Sequence, residues 1–229
     1  AFMNALPFTL FAYAQQHVTS ILASIINGAT PIMTLLALLT VFRGEKLKLN
    51  VILGLLIGMG GVMIVLAVWQ GFGENDPTAV LAMIAAVSCY GLGGPFIVRF
   101  VTPLKMPNEI MSIGQVGSAS LIVLPFYLAG PALIGEVTLS AMASVITLGA
   151  VGSGVAYILY YRIIKQVGSA IANSVTYMSP LVATVLGMLL LGEELHWYEP
   201  VGAVVVILGA LISQGRLLGL FGLKPKVLS

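Results

Sequence analysis

The sequence predicts an all-α fold, a polytopic membrane helical bundle of eight apolar spans arranged as inverted five-helix repeats, the first repeat incomplete. Three observations predict it. The chain is 59% hydrophobic and 8% charged, with mean hydropathy +1.07. A soluble domain carries roughly 25% charged residues; a core cannot absorb that deficit, so the solvent must be lipid. All ten Lys and Arg residues fall at one end of an eight-span serpentine. A proline-centred apolar segment also occurs twice, at Pro31 and, 149 residues later, at Pro180.

The spans are read at 1–16, 20–42, 49–69, 78–100, 108–129, 138–164, 169–191 and 197–219. The first is shorter than the roughly 20 residues of a normal crossing, so the chain reads as one that begins inside a helix. Turn chemistry separates the spans at Gly73–Pro77, Pro103–Pro107 and Gly130-Pro131. Breaks this short make successive helices antiparallel neighbours. Arg43, Lys46, Lys48, Arg99, Lys105, Arg162, Lys165, Arg216, Lys224 and Lys226 then share one end. The other end holds Gln16, His17, Glu74, Asp76, Glu136, Glu193, Glu194, His196 and Glu199. By the positive-inside rule the basic end is cytoplasmic, and so are both chain ends. Trp69, Trp197 and Tyr198 fall at the opposite interface, where an aromatic belt sits.

The two halves repeat. Ser20–Pro31 matches Ser169–Pro180; after a one-residue slip, Glu45 and Leu47 match Glu193 and Leu195, and Gly54 and Gly61 match Gly202 and Gly209. The first Gly-Glu pair lies at the basic end and the second at the acidic end, so the copies are oppositely oriented. Five spans separate equivalent points, whereas the first copy has three, which places two further helices before Ala1. The expected divisions are 1–69 (three helices of the first repeat), 70–77 (linker), 78–219 (second repeat) and 220–229 (tail). Inverted repeats are a transporter signature, because two similar halves can exchange shapes around a midplane site.

These residues also carry a family resemblance. Asn4–Phe8 with Phe11–Ala14, the Thr30-Pro31 helix ending in Gly44-Glu45, and the Gly54…Gly61 helix resemble the first EamA domain of the drug/metabolite transporter superfamily. Residues 78–212, with Ser179-Pro180 and Gly192-Glu193, resemble the second. The resemblance implies a ten-helix permease of the bacterial inner (plasma) membrane.

Pro31 and Pro180 each stand twelfth in their span, near the bilayer centre. A proline cannot donate to the carbonyl four residues back, so the carbonyls of Asn27 and Thr176 are freed; in lipid each needs protein or cavity water. Asn27, Thr30 and Thr176 therefore become candidate cavity residues, with Pro31 and Pro180 as hinges. The alternative is a packing kink in which Thr30 and Ser179 satisfy local carbonyls. Asn4, Gln115, Ser153, Tyr157, Asn173 and Tyr177 are the other polar groups at membrane depth proposed to bind substrate; interhelical hydrogen bonding is their plainer role. Tyr160 and Tyr161, beside Arg162, read as interface anchors. Gly54-x-x-x-Gly58 with Gly61, and the Gly91–Gly94 and Gly149–Gly154 clusters, permit close helix approach; they also admit a homodimer.

No charge lies securely in mid-membrane, which argues against a strongly ionic substrate and leaves proton coupling unsupported. A neutral or zwitterionic metabolite, such as an amino acid, fits better. Cys89 stands alone and the two histidines form no ligand cluster, so neither metal nor cofactor is expected. No basic run suggests nucleic acid. An enzyme would need convergent acids, His or a nucleophile, and none is found. The predicted partners are the lipid bilayer and a small-molecule substrate moved by alternating access. A non-transporting scaffold or subunit, and a drug efflux permease, stand as alternatives.

Overall fold

Each apolar span becomes helix, and where a span carries proline or clustered glycine the helix changes form. In the computed structural model, residues 3–42, 48–71, 75–129, 138–186, 188–189 and 196–215 are described. The Gly44-Glu45 and Gly192-Glu193 echoes, together with Arg43, Lys46 and the three C-terminal cations, lie outside them.

Span one is α1 (Ala5–Ala14). Span two divides into α2 (Ser20–Gly28) and α3 (Thr30–Thr40), with Pro31 in the first turn of α3. Span three is α4 (Leu49–Val65). Span four is α5 (Pro77–Phe96), running on through a π-helical turn at Ile97–Val101 just after Pro95. Span five is α6 (Asn108–Ala129). Span six is α7 (Leu139–Thr147), a π-helical stretch at Leu148–Val155 and α8 (Ala156–Val167). Span seven comprises α9 (Ser169–Asn173), a tight 3-10 turn at Ser174–Tyr177 and α10 (Met178–Leu186). Span eight is α11 (Tyr198–Ser213). Five of these stretches are long and apolar enough to cross a membrane; α1, α4 and α11 are shorter apolar helices.

The ends group as a serpentine requires. At the acidic end the Asp76 N–H donates to the His17 carbonyl (3.1 Å) and the Thr19 N–H to the Asn75 side chain (2.8 Å). Trp69 stacks on Trp197 there, with ring centroids 6.1 Å apart. At the basic end the Lys165 ammonium donates to the Met106 carbonyl (3.0 Å) and Asn108 Oδ1 (2.7 Å).

The closest helix pair is α4 against α11. A Cβ on Gly61 would stand 2.6 Å from Val206 N, and one on Gly202 2.6 Å from Val65 N. One on Gly209 would stand 2.5 Å from Gly58 N, and one on Gly54 2.5 Å from Gly209 O. Exchanging each residue for its repeat equivalent (Gly54 for Gly202, Gly61 for Gly209) turns the Gly54–Gly209 contact into the Gly202–Gly61 contact. That reciprocity is the mark of a two-fold interface. The two helices are antiparallel, so the axis relating them runs across the helices, as an inverted repeat demands. Asn50 closes one end of this pair, its amide donating to the last carbonyls of α11, Ile212 (3.1 Å) and Ser213 (3.0 Å). The Ile212 carbonyl also accepts the Gly215 N–H (2.9 Å), so Asn50 adds a second donor there and reaches the helix-end carbonyl of Ser213.

Candidate functional site

The break in span two is built locally. Thr30 Oγ1 donates to the Asn27 carbonyl at 2.7 Å, satisfying the acceptor that Pro31 frees. In span seven Thr176 Oγ1 donates to the Asn173 carbonyl at 3.0 Å, one turn before the carbonyl that Pro180 frees, which is Thr176's own. A local hydroxyl therefore carries the backbone repair at Pro31, and the Asn27 side chain is left for another role.

That role is a cavity of about 950 Å³ whose lining reaches the acidic end at Gln15 and Val18. Phe8, Phe11, Ala12 and Gln15 of α1, Ala23, Ser24 and Asn27 of α2, Tyr90 of α5, and Leu148, Gly152 and Ser153 of the π stretch line it, together with Val18. Its wall draws on both halves of the chain. No charged side chain is among these residues. Tyr90 stacks on Phe11, with centroids 5.9 Å apart and planes at 27°, and meets Phe8 edge-on at 6.3 Å. The π stretch explains why span six contributes Gly152 and Ser153. Wide-turn geometry in a glycine-rich segment often marks a functional position.

Beyond the cavity, toward the basic end, two buried polar clusters tie the halves together. In the first, Asn4 Oδ1 accepts from Gln115 Nε2 (2.6 Å) and from the Tyr157 hydroxyl (2.9 Å), and the Tyr161 hydroxyl donates to Gln115 Oε1. In the second, the Tyr160 hydroxyl donates to Asn173 Oδ1 (2.6 Å), Asn173 Nδ2 to Thr34 Oγ1 (2.6 Å), and Thr34 Oγ1 to the Thr30 carbonyl (3.0 Å). Thr30 bonds in turn to Asn27, so this chain runs from α8 to the cavity wall. Buried groups in such networks are costly to strand, which makes each cluster a fixed joint rather than a loose contact. A second, apolar cavity of about 820 Å³ lies past the first cluster, between α5 and α6. Gln115 and Tyr161 belong to its lining, and Ser153, one helical turn from Tyr157, belongs to the other cavity. The Asn4 cluster thus stands between the two spaces.

A model of the EamA-like transporter family matches residues 1–67 and 77–214. The chain belongs to the EamA-like transporter family. It is 29% identical over 213 residues to an uncharacterised inner membrane transporter, YedA, of Escherichia coli strain K12, covering 93% of this chain and 67% of that protein. It is 26% identical over 213 residues to a probable terminal-alkyne amino-acid exporter of Streptantibioticus cattleyicolor, covering 92% and 69%. A solved structure titled only as a protein superposes with TM-score 0.75 at 19% identity, covering 91% of this chain and 73% of that one, which supports the fold alone. The chain is therefore an integral membrane transporter of the drug/metabolite class and not an enzyme.

Of the site residues expected in this EamA-like chain, Asn27 and Ser153 line the cavity. Asn4, Tyr157, Gln115 and Asn173 lie in the two polar clusters; Thr30 and Thr176 bond to the backbone. Tyr177 is buried on Gly58 and donates to the Leu55 carbonyl (2.9 Å), tying span seven to span three. Pro31 and Pro180 are buried in the first turns of α3 and α10, just past the breaks. Tyr160 and Tyr161 are not interface anchors. Tyr161 is 3% exposed and Tyr160 is half-buried, because they share the inward stripe of α8 with Tyr157 and Ile164. Spacing of three and four along that helix was the available signal. Thr34, Tyr90 and the α1 phenylalanines were not anticipated, since apolar or singly polar residues in a lipid-soluble helix carry no distinguishing mark.

Proposed function

We propose that this chain forms the body of a secondary permease that moves a small neutral or zwitterionic metabolite, of the amino-acid kind, by alternating access. The observation that carries the reading is the uncharged cavity between the two halves, lined with polar groups at Asn27, Ser153 and Tyr90. Its volume is that of an ordinary small-molecule site, and its place between repeat halves is where such permeases bind. The apolar wall suits an aliphatic or aromatic body. The amide of Asn27 and the hydroxyl of Ser153 suit the amine and carboxylate of a zwitterion, whose charges largely offset each other.

In this arrangement the cavity reaches the acidic end, taken as the cell exterior, and the Asn4 cluster closes the basic side. Exchange requires that cluster to part as the halves rock about the breaks before Pro31 and Pro180. The amino-acid exporter among the relatives is consistent with this substrate class. The test is labelling of Ser153→Cys, in a Cys89→Ser background, by a membrane-impermeant thiol reagent applied to sealed vesicles from each side in turn. Labelling from the exterior, slowed by a transported amino acid, supports the reading. Labelling from the cytoplasmic side alone, or labelling that no neutral metabolite slows, contradicts it.

A further inference from the structure

We propose that the apolar groove between α5 and α6 is a binding site for an anionic phospholipid of one leaflet, with its acyl chain in the groove and its phosphate at the basic rim. The groove is walled by Leu92, Ile97 and Leu104 on the α5 side and by Ile110, Gly114 and Ser118 on α6. From Ile110 to Ser118 the lined part of the helix rises about 12 Å, close to half of the roughly 30 Å hydrocarbon core. The groove therefore runs most of the depth of one leaflet, from the interface toward the midplane.

Its lining suits the occupant. A volume of about 820 Å³ with an almost wholly apolar lining accommodates an extended alkyl chain. Its rim selects the headgroup. Lys105 is exposed between the lining residues Leu104 and Met106. The Lys165 ammonium sits on the Met106 carbonyl and Asn108, at the same mouth. Arg99 and Arg162 are exposed within six residues of these lysines in sequence, and Glu109 is the one carboxylate among the described residues of these segments. Basic pockets between spans at the interface are the usual receptors for anionic headgroups.

The test uses the product of the complete gene in nanodiscs of equal phosphatidylglycerol and phosphatidylcholine. It is followed by mild detergent extraction and native mass spectrometry of retained lipid. Wild type should retain phosphatidylglycerol in preference. Lys105→Gln with Lys165→Gln should lower that preference by about fivefold for each lysine, the factor matching one cation's attraction to an anionic leaflet. Gly114→Leu should expel the lipid with the rim intact, because nothing lies within 4 Å of a Cβ there and the helix tolerates it. Lys48→Gln, elsewhere at the basic end, should change nothing, and excess inorganic phosphate should not displace the lipid. Thermal melts of each variant report folding separately. Equal retention of both lipids overturns the proposal. So does an equal loss in Lys48→Gln, retention unchanged in Gly114→Leu, or displacement by phosphate.

Discussion

Gly209→Ala is the sharpest test of the α4–α11 contact. The added Cβ would stand 2.5 Å from Gly58 N and 2.6 Å from Gly54 O, and the neighbours are backbone atoms that cannot rotate away. An ordinary contact needs about 3.4 Å, so the two helices must part by about 0.9 Å. A gap of that size forfeits roughly a quarter to a half of each pairwise attraction across the seam, and overpacking of this kind costs about 1–3 kcal/mol. Replacing Gly by Ala in a helix returns about 1 kcal/mol through propensity. Gly60→Ala supplies the control: it lies on the same helix as Gly54, and nothing stands within 4 Å of its Cβ. Gly60→Ala should therefore raise stability by about 1 kcal/mol. Gly209→Ala should fall below it by about 1–3 kcal/mol, the overpacking term alone. Thermal unfolding in detergent, followed by the fluorescence of the stacked Trp69 and Trp197, measures both. The double variant Gly54→Ala with Gly209→Ala should lose less than the sum, because one separation relieves both clashes. If Gly209→Ala melts at or above Gly60→Ala, the close two-fold seam is refuted.

Three further outcomes follow from the buried polar clusters and the charge map. Gln115→Leu strands the Tyr161 hydroxyl and removes a donor from Asn4; it should cost about 1–3 kcal/mol by chemical unfolding, and a change under 0.5 kcal/mol would remove the cluster from the account. Tyr177→Phe loses only the bond to the Leu55 carbonyl and should cost about 1 kcal/mol while leaving substrate affinity unchanged. An affinity loss without a stability loss would move Tyr177 into the binding site. Reporter fusions should place Lys105 in the cytoplasm and Asp76 outside, and the reverse pattern would overturn the orientation.

The order of eight apolar segments was legible because lipid leaves so little choice: a long apolar run must satisfy its backbone as helix. The break at Pro31 was legible for the same reason, since proline removes one bond that the chain must replace. Which face of each helix turns inward was not. In water, hydrophobic period marks the buried side; in lipid both sides are apolar. On α5, Leu81 is 66% exposed and Met83 is fully buried, yet both are large aliphatic residues. The cavity-lining phenylalanines of α1 were hidden in the same way. The π stretch at Leu148–Val155 was hidden too, because a glycine-rich run permits it without requiring it. Polar residues were the informative ones, and depth alone could not separate their two uses. Asn27 and Ser153 reach the cavity, whereas Asn4 pairs with Gln115, and Asn173 with Thr34, across the two halves. The α4–α11 glycines could be read as a seam, but their reciprocity shows only when both helices are placed.

The most direct test of the central claim is flux. The product of the complete gene, in proteoliposomes loaded with a neutral amino acid, should exchange it for labelled amino acid outside with saturation. Asn27→Ala should cut exchange at least tenfold, about 1.4 kcal/mol, while melting within about 0.5 kcal/mol of wild type, as a substitution outside the packed core does. Exchange that persists undiminished in Asn27→Ala, or that no neutral or zwitterionic metabolite supports, would contradict the assignment of the cavity as the transport site.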